Sequence, residues 1–399
     1  MNLQMNTLHQ QWRAPIEWTR PPPLKIAQIA PLIESVPPRL YGGTERIVSF
    51  LTEELVAQGH EVTLFSSGGS VTSARHIPCS DLPLRQMRAS DPTPSYLLML
   101  DRVRRMASRF DILHFHIDQL HFPLFRDIAA HTLTTLHGRQ DLPDLERLYA
   151  GFPEMPLVSI SDSQREAVPH ANFVGTVMNG LPLDLLTPTL RPAGDYLAFL
   201  GRASPEKGLD HAIAIARAVG LPLEIAAKVD LPDKAYFHER IEPLLSLPGI
   251  EFVGEIDDRR KSRFLGEARA LLFPIEWPEP FGLVMIEAMA CGTPVLAFRR
   301  GSAPEIIEEG VTGALVDNVE EAIARLGRVL ALDRAQIRRR FEMRFSAARM
   351  AAEYVAIYRR LLRAPAPAEL RAHPIVLPPT YFSRNVEEQI EPDDSYPPR

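Results

Sequence analysis

The sequence predicts an α/β protein made of two successive domains, each built on a parallel sheet. One observation is the length of 399 residues, which is more than a single hydrophobic core usually covers. A second is that short apolar runs alternate with helical apolar patterns, beginning near Leu24 and again near Tyr196. This alternation is typical of strand, helix and strand units in parallel sheets. We therefore expect the same architecture to occur twice in the chain.

The first predicted domain opens with an apolar strand over residues 24–30. A loop with two glycines follows, and apolar residues at helical spacing from Thr44 to Val56 then predict a helix that Gly59 ends. The run 61–65 predicts the next strand. Further apolar runs predict strands at 111–117, 132–136 and 157–160. Ligands of open α/β sheets bind at the carboxyl ends of such strands, so the residues that follow them are candidate site residues.

The second predicted domain repeats this pattern. Its first strand covers residues 196–200, a loop covers 201–208 and a helix covers 209–219. Later apolar runs predict strands at 223–227, 250–253, 270–273, 295–298 and 310–316. The last helical pattern carries an apolar stripe through Tyr354 and Tyr358.

Composition narrows the class of protein. A net charge of −6 is small for this length and argues against nucleic acid as the main partner. The arginine group between Arg338 and Arg344 is interpreted as a solvated helix face. Two cysteines, Cys79 and Cys291, are too few for a disulfide framework or a thiolate zinc site. Because no apolar segment resembles a signal peptide or a membrane span, we expect a cytoplasmic protein with at most peripheral membrane association.

Two glutamates stand out in the segment 276–305. Glu279 lies between two prolines, which places it on a loop. Glu287 interrupts a helix that is apolar on every other side, and a carboxylate there is costly unless donors hydrogen-bond it. Ligand hydroxyls are one possible set of donors, and a neighbouring loop is another. Free backbone N–H groups at the helix start, which suit anionic or hydroxyl-rich ligands, belong to Phe281, Gly282 and Leu283.

The stretch from Pro278 to Val295, PEPFGLVMIEAMACGTPV, resembles the signature of the family 4 retaining glycosyltransferases, which have the GT-B fold. The resemblance extends more loosely over about residues 24–363. It implies two Rossmann-like domains that face each other across a cleft. It also implies that Glu279 contacts hydroxyls of the donor sugar, that Glu287 holds the ribose hydroxyls, and that the amides between them touch the sugar.

Three other motifs match the family more loosely. In YGGTERIV, Gly42 and Gly43 alone predict either a tight turn or a close approach of backbone to phosphate. The resemblance implies that this loop closes over the donor pyrophosphate. In TLHG, His137 follows a predicted strand and is implied to hydrogen-bond the donor sugar. In GRASPEKG, Arg202 and Lys207 are implied to bind the pyrophosphate leaving group.

Further residues concern the edges of this predicted site. Gly254 follows a predicted strand, where the family meets the nucleobase with backbone groups. Lys228 stands where the family commonly has glycine, which is a departure near the donor pocket. His114 and His116 share one face of a strand and could bind a metal ion. Because the sequence places no third ligand, we expect no metal.

The resemblance implies retaining transfer of a hexose from a nucleotide sugar, without a metal ion or cofactor. UDP-glucose is the first expected donor and GDP-mannose the second. The acceptor is a small molecule, glycan or lipid, and closeness to the tetrahydrobiopterin glucosyltransferases is suspected. A sugar-nucleotide epimerase of the same fold and a non-catalytic binding protein remain alternatives. The expected parts are an N-terminal extension (1–23), an acceptor-side domain (24–185), a nucleotide-sugar domain (186–345), a helix crossing back to the first domain (346–363) and a Pro-rich acidic tail (364–399).

Overall fold

The structure is a computed structural model that describes residues 22–40 and 42–363. The predicted tail 364–399 lies outside the described residues, as does Tyr41 of the YGGTERIV motif. The predicted extension 1–23 also lies outside them, except for residues 22 and 23. Within the described ranges, we find no helix with both the length and the apolar character that crossing a membrane requires.

The first sheet follows the predicted pattern. Its strands are β1 (Lys25–Ile29), β2 (Glu61–Ser66), β3 (Arg75–Pro78), β4 (Ile112–Phe115), β5 (Thr132–Thr135), β6 (Leu157–Ser159) and β7 (Phe173–Thr176). Among the described residues these seven strands lie in the order β3-β2-β1-β4-β5-β6-β7, and all pairs are parallel. The sequence did not predict β3 and β7, because these edge strands lack a continuous apolar run.

The second sheet repeats the architecture. Its strands are β8 (Leu197–Arg202), β9 (Leu223–Lys228), β10 (Ile250–Phe252), β11 (Ala270–Phe273), β12 (Val295–Phe298) and β13 (Gly313–Val316). In the described part of the chain these six strands lie in the order β10-β9-β8-β11-β12-β13, again all parallel. The prediction of two parallel α/β units is therefore confirmed. The predicted loop 201–208 is wrong at its start, because β8 continues through Arg202.

Helices connect the strands and cover the sheets. They are α1 (Gly43–Ala57), α2 (Leu84–Met87), α3 (Thr93–Met106), α4 (Phe122–Phe125), α5 (Leu145–Gly151), α6 (Asp162–Glu166), α7 (Leu209–Val219), α8 (Lys234–Tyr236), α9 (Glu242–Leu245), α10 (Asp258–Glu267), α11 (Leu283–Ala290), α12 (Ala303–Ile306), α13 (Val319–Val329), α14 (Arg334–Arg344) and α15 (Ala347–Arg363). Of these, α1, α10 and α11 carry residues of the candidate site described below.

Helix α11 is the buried helix that the apolar segment predicts. The side chains of Met285, Ile286 and Met289 are fully buried, and α11 packs against β11, β12 and α14. The helix begins after Gly282, whose φ of +74° is in the left-handed region. A Cβ atom on Gly282 would lie 2.8 Å from Met285 Cε and 2.9 Å from Phe273 Cζ, so only glycine fits this position. The start of α11 is therefore held rigidly against the sheet.

Helix α15, the last helix in the described part of the chain, follows the second sheet in sequence but contacts the first. The hydroxyl of Tyr354 lies 2.8 Å from Thr135 Oγ1, and the hydroxyl of Tyr358 lies 2.7 Å from His114 Nδ1. Both tyrosines are almost fully buried. The apolar stripe of α15 thus carries polar groups into the interior of the first sheet.

The arginine group on α14 is a solvated face only in part, which corrects the sequence interpretation: Arg339 is exposed, but Arg338 and Arg344 bond to carbonyl groups of the protein. The Arg338 guanidinium donates hydrogen bonds to the carbonyl oxygens of Leu183, Leu186 and Ala290, at 2.6–3.1 Å. Arg344 similarly donates to the carbonyl oxygens of residues 305 and 306. The bonds to Ala290 and to residues 305 and 306 satisfy carbonyl groups at the ends of α11 and α12, and the bonds to Leu183 and Leu186 satisfy loop carbonyls. The sequence could not show this because the carbonyl partners lie far away along the chain.

Candidate active site

A cavity of about 760 Å³ opens between the carboxyl ends of the two sheets. Because the strands of each sheet are parallel, the residues that follow them gather at one edge, where the two sheets face each other. The cavity is lined by nearly all predicted site residues, namely Gly42, Gly43, His137, Arg202, Lys207, Glu279, Phe281, Gly282, Leu283 and Glu287. The sequence therefore predicted a set of residues that the fold brings together.

Gly254 does not line this cavity, in contrast to the sequence prediction. Its carbonyl oxygen accepts a hydrogen bond from the backbone N–H of Ala227 in β9, at 3.1 Å, and so continues the pairing with β9 beyond the end of β10. The next residues, Glu255 and Ile256, line the cavity instead. Backbone contacts at this edge are therefore offered by the segment just after Gly254.

Glu279 is held by two donors. Its Oε2 atom accepts a hydrogen bond from Lys207 Nζ at 2.5 Å and another from Trp277 Nε1 at 2.8 Å. The Lys207 ammonium also lies 5.1 Å from the centre of the Trp277 ring, within range of a cation–π interaction. Lys207 sits in a single 3-10 turn, Pro205–Lys207, directly after β8. The sequence analysis did not identify Trp277, although it stands two residues before Glu279.

Backbone packing fixes the loop that carries Glu279. The backbone N–H of Ser302 donates to the Glu279 carbonyl oxygen at 3.0 Å, and Ser302 Oγ donates to the Phe281 carbonyl oxygen at 2.8 Å. A Cβ atom on Gly301 would lie 2.4 Å from the backbone N and O atoms of Glu279. Gly301, which the sequence analysis also did not identify, therefore permits a close approach that sets the position of Glu279.

We expect Gly301→Ala to lower kcat/KM by about 100-fold, the order of loss that a displacement of about 1 Å can cause. Backbone strain alone would cost about 1–2 kcal/mol, because φ at Gly301 is +52°. Gly310→Ala is the matched control, since its φ is +73° but nothing lies within 4 Å of the added Cβ. Similar losses of stability in both variants, with lost activity only in Gly301→Ala, would support the displacement of Glu279. Equal activity in the two variants would contradict it.

Glu287 has a partner that the sequence did not reveal. Its Oε1 atom accepts a hydrogen bond from Lys261 Nζ on α10, at 2.7 Å, and both side chains are largely buried. Lys261 also lies 3.4 Å from Asp258, which forms an ion pair with Arg46 on α1. The donor to Glu287 is therefore a helix lysine, and the suggested neighbouring loop is not the partner. This row of charges also links the first sheet's α1 to the second sheet's α10.

Of the two glycines in YGGTERIV, Gly42 forms a tight turn and Gly43 approaches α11. Gly42 has φ +155°, and a Cβ atom there would lie 2.8 Å from Pro38 Cβ, so the turn is tight. α1 begins at Gly43, where an added Cβ would meet Leu283 Cδ1 at 3.5 Å. Backbone N–H groups at the start of α1 and of α11 thus line the same cavity.

Two other cationic residues on the cavity lie beside carboxylates. Arg202 forms an ion pair with Glu206, and its Nε atom lies 3.8 Å from Asp233. Lys228, the departure from the family pattern, lies 2.9 Å from Asp230. An anionic ligand at this position would therefore meet positive charge that is already held in place.

His137 follows β5 and lines the cavity beside His116. His116 Nδ1 lies 2.9 Å from His137 Nε2, and burial lowers the pKa of His137 to about 4. His114 points to Thr135 and Tyr358 instead. Within residues 22–40 and 42–363, no group of three or more His, Cys, Asp or Glu side chains could hold a metal ion. The His-x-His pair is thus part of a hydrogen-bonded network.

Buried histidines should make the protein unstable in acid. The pKa of His137 falls from about 6.5 in the unfolded chain to about 4, so between these values the unfolded state binds a proton that the native state does not. Stability is therefore full above about pH 6.5 and declines towards pH 4, by about 3 kcal/mol for this residue. Burial also lowers the pKa values of His114, His116 and His121. Urea unfolding at pH 7.5 and pH 5 measures the loss. The same loss of stability should be measured in a His170→Gln variant, because His170 is exposed. Equal stability at pH 5 and pH 7.5 would contradict the prediction.

Matches to known families divide the chain into the same two parts as its two sheets. Residues 41–173 match the family described as Glycosyltransferase Family 4, and residues 189–344 match the family described as Glycosyl transferases group 1. An alpha-maltose-1-phosphate synthase from Mycolicibacterium smegmatis is 31% identical over 185 residues, which cover 41% of this chain and 48% of that protein. The chain thus spans about half of that curated relative. A glycogen synthase from Mycobacterium tuberculosis is 26% identical over 341 residues, covering 69% of this chain and 79% of that protein.

Solved structures agree with the fold. AviGT4, a glycosyltransferase involved in avilamycin A biosynthesis, is 25% identical, with a TM-score of 0.65 over 86% of this chain and 99% of that chain. A sucrose-phosphate synthase from Thermosynechococcus elongatus is 19% identical, with a TM-score of 0.70 over 86% of this chain and all of that chain. The chain therefore has the GT-B fold, and its matches to the two glycosyltransferase families follow its two sheets in order.

Proposed function

We propose that the chain is a retaining hexosyltransferase that moves glucose from UDP-glucose to an acceptor hydroxyl. The observation that carries this proposal is the pairing of both glutamates with lysines on one cavity. Glu279 is bonded to Lys207 and Glu287 to Lys261, while Gly43 and His137 of the first domain line the same space. The names of the relatives, a maltose-1-phosphate synthase and a glycogen synthase, concern products built from glucose. Two other relatives are named mannosyltransferases, one of them GDP-mannose-dependent, so GDP-mannose stays the second proposed donor.

Each side chain has a role in this proposal. Glu287 accepts from ribose hydroxyls through the carboxylate oxygen that Lys261 does not engage. Glu279 accepts from hydroxyls of the sugar. An ammonium group has three donors, so Lys207 can keep its bond to Glu279 and still donate to a phosphate oxygen. The amides at the start of α11 are placed to meet the sugar and the phosphates.

The proposed reaction breaks the bond between the anomeric carbon and the phosphate oxygen, and the electron pair leaves with the nucleoside diphosphate. Arg202, Lys207 and the start of α11 stabilise the charge that develops on this leaving group. The acceptor oxygen forms its bond to the anomeric carbon on the same face, and its proton passes to the departing phosphate. Because two side-chain cations supply the positive charge, we propose transfer without a metal ion.

The first-domain side of the cavity suits a partly apolar acceptor. Leu40, Tyr96 and Leu120 line it together with Asp118. Asp118 has φ +52°, an uncommon conformation for aspartate. We propose a small molecule, glycan or lipid as acceptor, and tetrahydrobiopterin is one small molecule to include in tests.

A donor and acceptor panel tests the activity. The protein is incubated with UDP-glucose or GDP-mannose, with no acceptor, with tetrahydrobiopterin or with cell extract, and released nucleotide is measured. Acceptor-dependent release of UDP is the expected result. Conversion of the nucleotide sugar to an isomer without acceptor would instead indicate an epimerase, and tight binding without turnover would indicate a binding protein.

The product should keep the α configuration of the UDP-α-glucose donor. In the proposed mechanism both glutamates hold the donor, and the leaving phosphate takes the acceptor's proton. The coupling constant of the anomeric proton in the product's NMR spectrum reports the configuration. A β-linked product would rule out retention and would make His137, at the end of β5, the obvious base for an inverting reaction.

A further inference from the structure

A continuous network of buried hydrogen bonds joins α15 to His137 through the middle of the first sheet. It includes Gln28 on β1, His114 and His116 on β4, and Tyr358 on α15, and none of these four side chains is more than 2% exposed. The proposed transfer uses none of them. Polar groups at this depth persist only where hydrogen bonds satisfy them, and each bond then fixes which partner donates.

The direction of donation follows from the amide of Gln28. Its Oε1 atom lies 2.7 Å from His116 Nε2 and can only accept, so His116 carries a proton on Nε2. Burial lowers the pKa values of His116 and His137, so each neutral ring has one N–H. His116 Nδ1 is then bare and must accept from His137 Nε2, 2.9 Å away. His137 is left with an unprotonated Nδ1.

The remaining members of this hydrogen-bonded network are satisfied when the Gln28 amide has this orientation. Its Nε2 atom donates to the Tyr358 hydroxyl at 3.3 Å and lies 3.5 Å from His114 Nδ1. With the amide in this orientation, the Tyr358 hydroxyl can donate to His114 Nδ1, 2.7 Å away, and a proton on His114 Nε2 can then be donated to Thr135 Oγ1, at 2.7 Å. The amide nitrogen thus faces acceptors supplied through α15, and the amide oxygen faces His116.

We propose that Gln28 and His116 are positioning residues that hold His137 in its Nε2–H tautomer, so that Nδ1 accepts a hydrogen bond from a hydroxyl of the bound sugar. The tautomer is a property of the folded chain, whereas its use on a sugar rests on the proposed function. A bare Nδ1 selects a group that can donate. A sugar with fluorine in place of that hydroxyl cannot donate and leaves the nitrogen unpaired, so the site rejects it.

The tautomer can be measured on the protein without any ligand. Selective ¹⁵N-histidine labelling with ¹H–¹⁵N correlation through the ring carbons distinguishes protonated from bare ring nitrogens, and a His137→Asn variant assigns the His137 signals. We expect Nε2 protonated and Nδ1 bare at pH 7.5. A protonated Nδ1 would overturn the proposal, whether or not the protein transfers glucose.

Two variants separate positioning from general packing. Gln28→Leu removes the acceptor for His116, so both tautomers of His137 should become populated, and kcat/KM for UDP-glucose should fall about 10- to 100-fold, as when a partner that orients a histidine is removed. Tyr354→Phe is the matched control, because it removes an equally buried hydroxyl. That hydroxyl bonds Thr135, at the end of the hydrogen-bonded network that lies away from His137. This variant should keep the wild-type tautomer. An unchanged His137 tautomer in Gln28→Leu would refute the role of Gln28.

Deoxyfluoro analogues of UDP-glucose test the contact with the sugar. The wild-type protein should reject strongly the analogue fluorinated at the hydroxyl that meets Nδ1, and Gln28→Leu should discriminate less against that same analogue. If both proteins discriminate equally against this analogue, the proposed contact between His137 Nδ1 and the sugar is wrong. The tautomer measured by NMR is not affected by that result. If neither protein turns over UDP-glucose, the proposed function fails, and the NMR measurement still decides the tautomer.

Discussion

Lys207→Met should lower kcat about 100- to 1,000-fold, the range seen when one donor that stabilises developing negative charge is removed. The reason is that Lys207 lies on the cavity, bonded to Glu279 and directly after β8, where the leaving phosphate is proposed to lie. Its interaction should strengthen as charge develops, so kcat should fall more than KM rises. Steady-state kinetics with UDP-glucose and an identified acceptor measures both constants.

The exposed Lys234 on α8 provides a matched control for this change. Lys234→Met removes the same charge from the same domain without touching the cavity, and its kinetics should stay close to those of the wild type. Unfolding curves of the two variants exclude a general loss of stability. A Lys207→Met enzyme with normal kcat and raised KM would show that Lys207 only binds the ground state, and would contradict the proposed stabilisation of the leaving group.

The architecture was predictable because periodicity in the sequence depends on local residues. Buried parallel strands read as apolar runs, and this signal placed the central strands of both sheets. The edge strands β3 and β7 are short and partly exposed, so their sequences carry no such signal. Arg338 and Arg344 of α14 were misjudged for a different reason. A charged residue on a helix looks the same in sequence whether it faces water or, like Arg338, the carbonyl oxygens of distant loops.

The candidate site was predictable only for residues within local motifs. Glu279, Glu287 and the glycines before α1 stand in recognisable stretches, and the fold places all of them on one cavity. Lys261 lies in a run of charges on α10 that does not distinguish it from its neighbours. Gly301 matters only through a backbone approach across the fold. His116 looked like half of a metal site because its partner Gln28 is far away along the chain.

The pairing of Glu287 with Lys261 changes the expected result of removing the glutamate. Glu287→Ala should lower the free energy of unfolding by about 3–5 kcal/mol, because it leaves the buried Lys261 ammonium without its closest partner. It should also weaken donor binding by about 1.5–3 kcal/mol, the scale of a hydrogen bond to a charged group. The single variant therefore confounds loss of structure with loss of a ligand contact.

A double variant separates the two effects. Replacing both charges by apolar side chains of similar size, as in Glu287→Met with Lys261→Met, should restore much of the stability, since a buried ion pair contributes little more than a well-packed apolar pair. Asp258 keeps its ion pair with Arg46 in that protein. Donor binding should remain weak, because no carboxylate is left to accept from ribose. Denaturant unfolding and calorimetry with UDP measure the two quantities on the same sample. A stable double variant that binds UDP as tightly as the wild type would show that Glu287 serves only the fold.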